Sequence, residues 1–145
     1  MRSSSRRDCL PPPMSEHFEP ADVDRLIPRL TRIMERAMAA HSEAAAIAER
    51  LEGERQRIQL AGGGMIDRAA WQTDAKRLEE LTETLRQALA EIAEMGGVTK
   101  DVALGLVDFR HVRDGREVNL CWKFGEDAVR HWHGLDEGYA NRRPL

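Results

Sequence analysis

The stretch "VALGLVDFRHVRDGREVNLCWKF", residues 102–124, decides the fold class of this chain. It contains two apolar or alternating runs, separated by the pair Asp114 and Gly115. An Asp-Gly pair between such runs is the strongest short-range signal for a two-residue β-hairpin turn. The sequence therefore predicts an antiparallel hairpin in this part of the chain.

The turn also predicts which residues pair across the hairpin. Phe109 comes to lie opposite Leu120, and Asp108 comes to lie opposite Cys121. Because side chains alternate between the two sides of a strand, one face of this hairpin is apolar. Its members are Val107, Phe109, Val118, Leu120, Trp122 and Phe124. The other face is polar and brings the carboxyl of Asp108 next to the thiol of Cys121.

A seven-residue repeat before the hairpin predicts a long helix. From residue 26 onward, nine of ten repeat positions are apolar, at alternating spacings of four and three residues. This pattern is typical of the seam of a helix that packs lengthwise on another helix. The repeat positions are Leu26, Leu30, Ile33, Ala37, Ala40, Ala44, Ile47, Leu51, Glu54 and Ile58. Pro28 interrupts the repeat near its start, so we expect a kink or a restart of the helix there.

A second helix follows the glycine-rich turn "AGGGM" at residues 61–65. Asp67 is its predicted N-cap, and the glycines at 96–97 are predicted to end it. Its apolar stripe is wider than one partner helix can cover. We therefore expect a second copy of the chain to cover the rest, which gives a homodimer through the helical hairpin and a four-helix bundle.

These elements together predict an α+β fold that is mainly α. A long antiparallel helical hairpin spans residues 20–96. A β-hairpin, a short helix at about residues 126–132 and a tail make up residues 102–145. The N-terminal residues 1–17, which begin with a run rich in Ser, Arg and Pro, are predicted to be a disordered tail, and residues 18–145 a single domain.

Composition excludes several classes of protein. The 145 residues carry 22 basic and 25 acidic side chains with a net charge of −3, whereas nucleic-acid binders normally show a basic excess. No segment approaches the roughly 20 apolar residues that span a membrane, so we expect no membrane association. The two cysteines, Cys9 and Cys121, form no disulfide framework, and no export signal precedes them. A cytoplasmic location is therefore expected.

One segment, "CWKFGEDAVRHWHGLD" at residues 121–136, is dense in side chains that bind metals or react. Glu126 and His133 are seven residues apart, which is two turns of the helix expected there, so they share a face. Thiolate, imidazole and carboxylate groups together suit zinc or another borderline divalent metal. The candidate ligands are Cys121, Glu126, His133 and Asp136, with Asp108 beside Cys121 in the hairpin.

Two other interpretations of this segment stay open. In the first, it is a structural clasp, in which Trp122 and Trp132 fill the core and the polar groups hold the tail by hydrogen bonds. In the second, Cys121 is a nucleophile that His133 and a carboxylate activate, as in a cysteine enzyme. The spacing matches no recognised metal or catalytic motif, which favours the clasp.

The same parts of the chain resemble a family of small bacterial proteins known as domain-of-unknown-function family 2203. The resemblance rests on "LGLVDF", "DGREVNLCWKFGE", the C-terminal "WHGLDEGYANRRPL" and the N-terminal "FEPADVDRLIPRL", and it runs from about Phe18 to Leu145. The matching C-terminal positions are Asp108, Gly115, Arg116, Glu117, Cys121, Trp122, Gly125, Glu126, Trp132, His133, Asp136, Gly138, Arg142 and Pro144. His111 and His131 lie outside the pattern and rank below the others as candidate ligands. The resemblance implies this organisation and supplies no activity.

The sequence thus favours an interaction or scaffold module, with the helical bundle as its working surface and no enzymatic activity. The alternative is a protein that binds a divalent metal such as zinc in the C-terminal segment, with hydrolysis as its enzymatic form.

Overall fold

The computed structural model describes residues 16–62 and 67–145. Two helices form the first part: α1 spans Pro20–Leu60 and α2 spans Arg68–Glu94. Two ion pairs link the helices, Arg36 with Glu91 and Arg50 with Asp74. The earlier residue of α1 pairs with the later residue of α2. This order confirms the predicted antiparallel helical hairpin.

The helix ends follow the sequence signals. Glu19 and Asp22 form a capping box at the start of α1. The side chain of Asp67 accepts a 3.0 Å hydrogen bond from the Ala70 backbone, which confirms it as the N-cap of α2. α1 continues through Pro28 as one helix and does not restart there. The predicted turn at 61–65 lies largely outside the described residues. The predicted tail at 1–17 also lies outside them, except for its last two positions.

Five antiparallel strands follow the helices and pair in chain order. They are β1 (Gly97–Asp101), β2 (Leu106–Arg113), β3 (Arg116–Lys123), β4 (His131–Gly134) and β5 (Arg143–Pro144). The predicted hairpin is β2–β3, and its register is confirmed, including Phe109 opposite Leu120 and Asp108 opposite Cys121. The turn residues Asp114 and Gly115 have φ angles of 52° and 77°, as a type I′ turn requires.

The short helix predicted at about 126–132 is not found. Gly125 has a φ of 102°, and Glu126 closes a tight turn by accepting a 2.8 Å hydrogen bond from the Lys123 backbone. The chain therefore turns back after β3, and His131–Gly134 pairs with β3 as strand β4. Pairing with an open strand edge satisfies backbone groups that so short a helix would leave without partners at both of its ends.

The core lies between the helices and one face of the sheet. Val107, Phe109, Leu120 and Trp122 are fully buried there against α1 and α2. Away from the sheet the two helices share only a small second cluster, in which Ala40, Ile47 and Leu81 are buried. Neither helix, over the ranges that the structure describes, is long and apolar enough to cross a membrane.

Candidate metal centre

Three side chains that can bind a metal meet on the sheet face that points away from the helices. Asp108 comes from β2, Cys121 from β3 and His133 from β4, and one ligand atom of each lies within 4.8 Å of the others. They are 2%, 1% and 2% exposed, respectively. Such a buried polar cluster needs internal partners, because water cannot solvate it.

The strand register brings the three side chains together. Asp108 and Cys121 are directly paired, and they alternate with Phe109 and Leu120 of the core face. His133 pairs with Asn119, which lies two residues before Cys121 in β3, and so its side chain projects from the same face. Its Nε2 atom reaches to 3.1 Å from Oδ2 of Asp108 across strand β3.

The hydrogen bonds of His133 fix which ring nitrogen carries a proton. Its Nδ1 lies 2.8 Å from the carbonyl oxygen of Gly134, which can only accept, so Nδ1 donates its proton there. In a neutral ring Nε2 then carries a lone pair that faces the carboxyl of Asp108. Ligand histidines typically hold their second ring N–H in this way.

The carboxyl of Asp108 lacks a well-placed donor. Neither of its oxygens has a hydrogen bond of good geometry from any of the described residues, although Nε2 of His133 is close. Burial raises the pKa of this carboxyl, and the nearby His133 and Lys100, together with the neighbouring thiol of Cys121, only partly counteract it. Two lone pairs 3.1 Å apart repel unless a cation, either a proton or a metal ion, lies between them.

The thiol of Cys121 is protonated at neutral pH. Burial, followed by the negative charge of Asp108, raises its pKa to about 11. Arg142 counteracts this through its contact with the sulfur atom. Since the nucleophile is the thiolate, Cys121 is not poised for attack in this state. A bound metal ion deprotonates a coordinating thiol outright.

The other two sequence-predicted candidates lie apart from this cluster. The carboxylate of Glu126 is engaged by the guanidinium of Arg142, at 3.1 and 3.2 Å, and by the Lys123 backbone. Asp136 is exposed and lines a surface groove with Glu137. The structure therefore brings together Asp108, Cys121 and His133. Glu126 is linked to this cluster only through Arg142, and Asp136 is not part of the cluster.

Two neighbours of the cluster are not among the candidate ligands that the sequence indicated. Arg142, 16 residues after Glu126 in the chain, binds the carboxylate of Glu126 and lies near enough to Cys121 to lower the pKa of its thiol. Asn119 is 6% exposed and lies between His133 and Arg110 in the register. The place of Asn119 beside Cys121 on the polar face followed from the hairpin register. Arg142 was expected to pair with a carboxylate, but no local signal indicated that its partner is Glu126.

A cavity of about 120 Å³ adjoins the site and is lined by Lys100, Asp108 and Asn119 among others. The carboxyl oxygens of Asp108 nevertheless have essentially no accessible surface. The cluster is therefore closed to solvent from this side.

The three donors fit a tetrahedral zinc ion. Zinc–nitrogen and zinc–oxygen bonds of about 2.1 Å and a zinc–sulfur bond of about 2.3 Å place neighbouring ligand atoms roughly 3.3–3.8 Å apart. The 3.1 Å contact between Nε2 and Oδ2 and the 4.8 Å range of the whole cluster bracket these separations. The ligand atoms therefore lie at separations close to those of a tetrahedral zinc site.

The fold and the site define a class of protein: a long helical hairpin joined to a five-stranded sheet whose outer face holds a buried Asp–Cys–His cluster. Residues 16–145 match the model of the uncharacterized conserved protein family DUF2203, so the chain belongs to this family. No curated protein and no solved structure gives a significant match to the chain.

Proposed function

We propose that this protein binds a divalent metal ion, zinc above all, through Asp108, Cys121 and His133. The observation that carries the proposal is the buried carboxyl of Asp108, which faces the lone pair of His133 and has no well-placed donor. A cation between these groups removes the repulsion and satisfies all three side chains.

Charge balance supports a dication. With Asp108 and Cys121 ionised, the two negative charges neutralise a divalent ion, while the adjacent Arg142 and Glu126 neutralise each other. Without metal, one proton on the thiol of Cys121 and one shared by Asp108 and His133 make the net charge of the site zero as well. Binding then exchanges two protons for one dication, so the buried site is never left with a net charge.

Elemental analysis of the untagged full chain tests the proposal. We expect about one equivalent of zinc per chain after expression in zinc-supplied medium, and its loss in the Cys121→Ser and His133→Ala variants. His41→Ala is the matched control, because His41 lies on α1 away from the site. Metal-free protein that neither takes up zinc nor changes its stability in chelator would disprove the proposal.

The wider set of candidate ligands is tested in the same way. Glu126 acts in this proposal through Arg142, which lies near Cys121, whereas Asp136 is exposed and takes no part in the site. We therefore expect Asp136→Asn to keep the metal and Glu126→Gln to weaken its binding. Loss of the metal in Asp136→Asn would instead make Asp136 a direct ligand.

The metal in this proposal stabilises the sheet and the C-terminal tail and does not catalyse hydrolysis. The ligand atoms are closed to solvent, and the high pKa of the Cys121 thiol disfavours its use as a free nucleophile. A free thiol that serves as a metal ligand persists in a reducing compartment, which supports the cytoplasm as the location.

A second candidate function is an interaction module in which the helical hairpin pairs with a second copy. The specific observation is an apolar groove at the end remote from the sheet, lined by Leu51, Trp71, Ala75 and Leu78. The two helices bury only a small cluster there, so a second hairpin would complete a four-helix bundle.

Light scattering of the full chain tests the homodimer. We expect twice the chain mass at micromolar concentration, and a monomer for Ala75→Glu, which places a charge in the groove. Ala45→Glu carries the same charge change at an exposed position of α1 and should remain dimeric. A monomeric wild-type protein would contradict this second proposal.

A further inference from the structure

A fourth side chain shares the sheet face with the cluster. His131 lies in β4 directly opposite Cys121, so its side chain projects from the same face. It is two residues from His133, and in a strand that spacing places both imidazoles on one side. Trp132 between them faces the helices and packs against the core.

The Nδ1 atom of His131 is buried without a hydrogen-bond partner. Five buried side-chain atoms in the described parts of the chain lack a partner, and three of them belong to Asp108 and His131 on this face. Buried polar atoms in native proteins are rarely left without a partner, and an exception indicates local strain, a reactive role, or a binding site for an ion or a water molecule.

The neighbours of His131 restrict where a partner can come from. On one side its paired residue is Pro144 in β5, which offers neither a backbone N–H nor a polar side chain. On the other side its paired residue is Cys121. Of the two residues paired with His131, only Cys121 has a polar side chain, and it belongs to the Asp108–Cys121–His133 cluster.

We infer that His131 is the fourth ligand of the metal ion proposed above, which makes the site a closed, four-ligand centre. This inference rests on the proposed metal-binding function. The ring nitrogens now lie outside the 4.8 Å range of the other three ligand atoms, so the side chain turns between staggered rotamers to bind. Paired residues on neighbouring strands have Cβ atoms about 4.5–5.5 Å apart, which is within reach of an imidazole.

The consequence is chemical. With three protein ligands a zinc ion keeps an open position for water, as in hydrolytic sites, whereas four ligands leave no such position. A set of one carboxylate, one thiolate and two imidazoles still suits zinc and cobalt. The site then ties β2, β3 and β4 together and has no metal-bound water to activate.

Cobalt(II) and zinc(II) alone are the probes, added to untagged full-length protein under reducing conditions. We expect wild-type protein to bind one cobalt ion, with the strong visible bands of a four-coordinate ion and a near-ultraviolet band from the Cys121 thiolate. His131→Ala should keep the thiolate band, lose intensity in the visible bands, and bind at least about tenfold more weakly, since even indirect partners contribute about 10–100-fold. His41→Ala should behave as wild type.

Nitrogen NMR of the histidine rings gives a second measurement that needs no substitution. On addition of zinc, one ring nitrogen of His131 and one of His133 should shift, while those of His41 stay unchanged. If wild type binds cobalt but His131→Ala binds it equally well with the same spectrum, and the His131 ring does not shift, His131 is not a ligand and the three-ligand site stands. If wild type binds no metal, the proposed function fails and this inference fails with it.

Discussion

Replacing Asp108 by Asn should stabilise the metal-free protein at neutral pH while abolishing its metal binding. The carboxyl of Asp108 is 2% exposed, and neither oxygen has a well-placed donor. An amide of the same shape is neutral, and its N–H group can donate to the lone pair on Nε2 of His133. Relieving one unsatisfied buried group is worth about 1–3 kcal/mol. In a domain of this size that corresponds to roughly 3–10 °C in Tm.

The pH dependence follows from the raised pKa of Asp108. The folded protein holds the proton of this carboxyl to higher pH than the unfolded chain, whose pKa is near 4. This contribution to stability is therefore complete below about pH 4 and is lost as the pH rises through the raised, folded-state pKa. The Asn side chain does not titrate. The stability advantage of Asp108→Asn should thus be small in acid and grow towards its full value at neutral to alkaline pH.

Urea unfolding followed by circular dichroism, with chelator present and at several pH values from 5 to 8, measures this difference. In excess zinc the order should reverse, because a ligand present at 1,000 times its Kd stabilises the folded wild type by about 4 kcal/mol. The opposite sign without metal would refute the reasoning. If Asp108→Asn lost about 3–5 kcal/mol at pH 7.5, Asp108 would be an anion in a buried ion pair with charged His133, and no metal would be needed.

Three further predictions concern the site and the hairpin that positions it. Zinc binding at pH 7 should release about two protons, one from the Cys121 thiol and one from the Asp108–His133 contact, and calorimetry in buffers of different ionisation enthalpy counts them. Arg142→Gln should weaken zinc binding by about 10–100-fold, because the guanidinium lies beside the sulfur of Cys121 and favours its thiolate. Competition with a chromophoric chelator measures the affinity, and an unchanged affinity would limit Arg142 to holding the tail. Gly115→Ala should destabilise the protein by about 1–2 kcal/mol in urea unfolding, since its φ of 77° disfavours a Cβ atom, and an unchanged midpoint would mean that the turn relaxes at no cost.

Local patterns in the sequence were enough to predict the helical hairpin and the register of β2–β3. The helices carry a repeat over many residues, and the Asp114–Gly115 turn sets every pairing between its two strands. Two of the three cluster residues were therefore brought together from sequence, because Asp108 and Cys121 pair by that register alone.

The position of His133 could not be predicted from local pattern. Four residues, "HWHG", with two imidazoles and one indole, satisfy a helix and a strand equally well. What decides between them is the open edge of β3, which is a tertiary feature. The incorrect helix placed Glu126 and His133 on one face, whereas the strand pairs His133 with Asn119 and places it near Asp108. The strand also pairs His131 with Cys121, although His131 ranked low among the candidate ligands in the sequence.

A purely structural clasp does not account for the residue at position 108. Trp122 is satisfied by the carbonyl oxygen of Glu126 at 3.0 Å, and Glu126 by Arg142, as a clasp requires. Asp108 has only Nε2 of His133 and the thiol of Cys121 beside it, and neither forms a hydrogen bond of good geometry with its oxygens. A buried carboxyl that destabilises the empty protein makes physical sense where a cation binds to it. The clasp and the proposed metal site are thus compatible: the clasp holds β4 and the tail against β3 and thereby aligns His133 with Asp108 and Cys121.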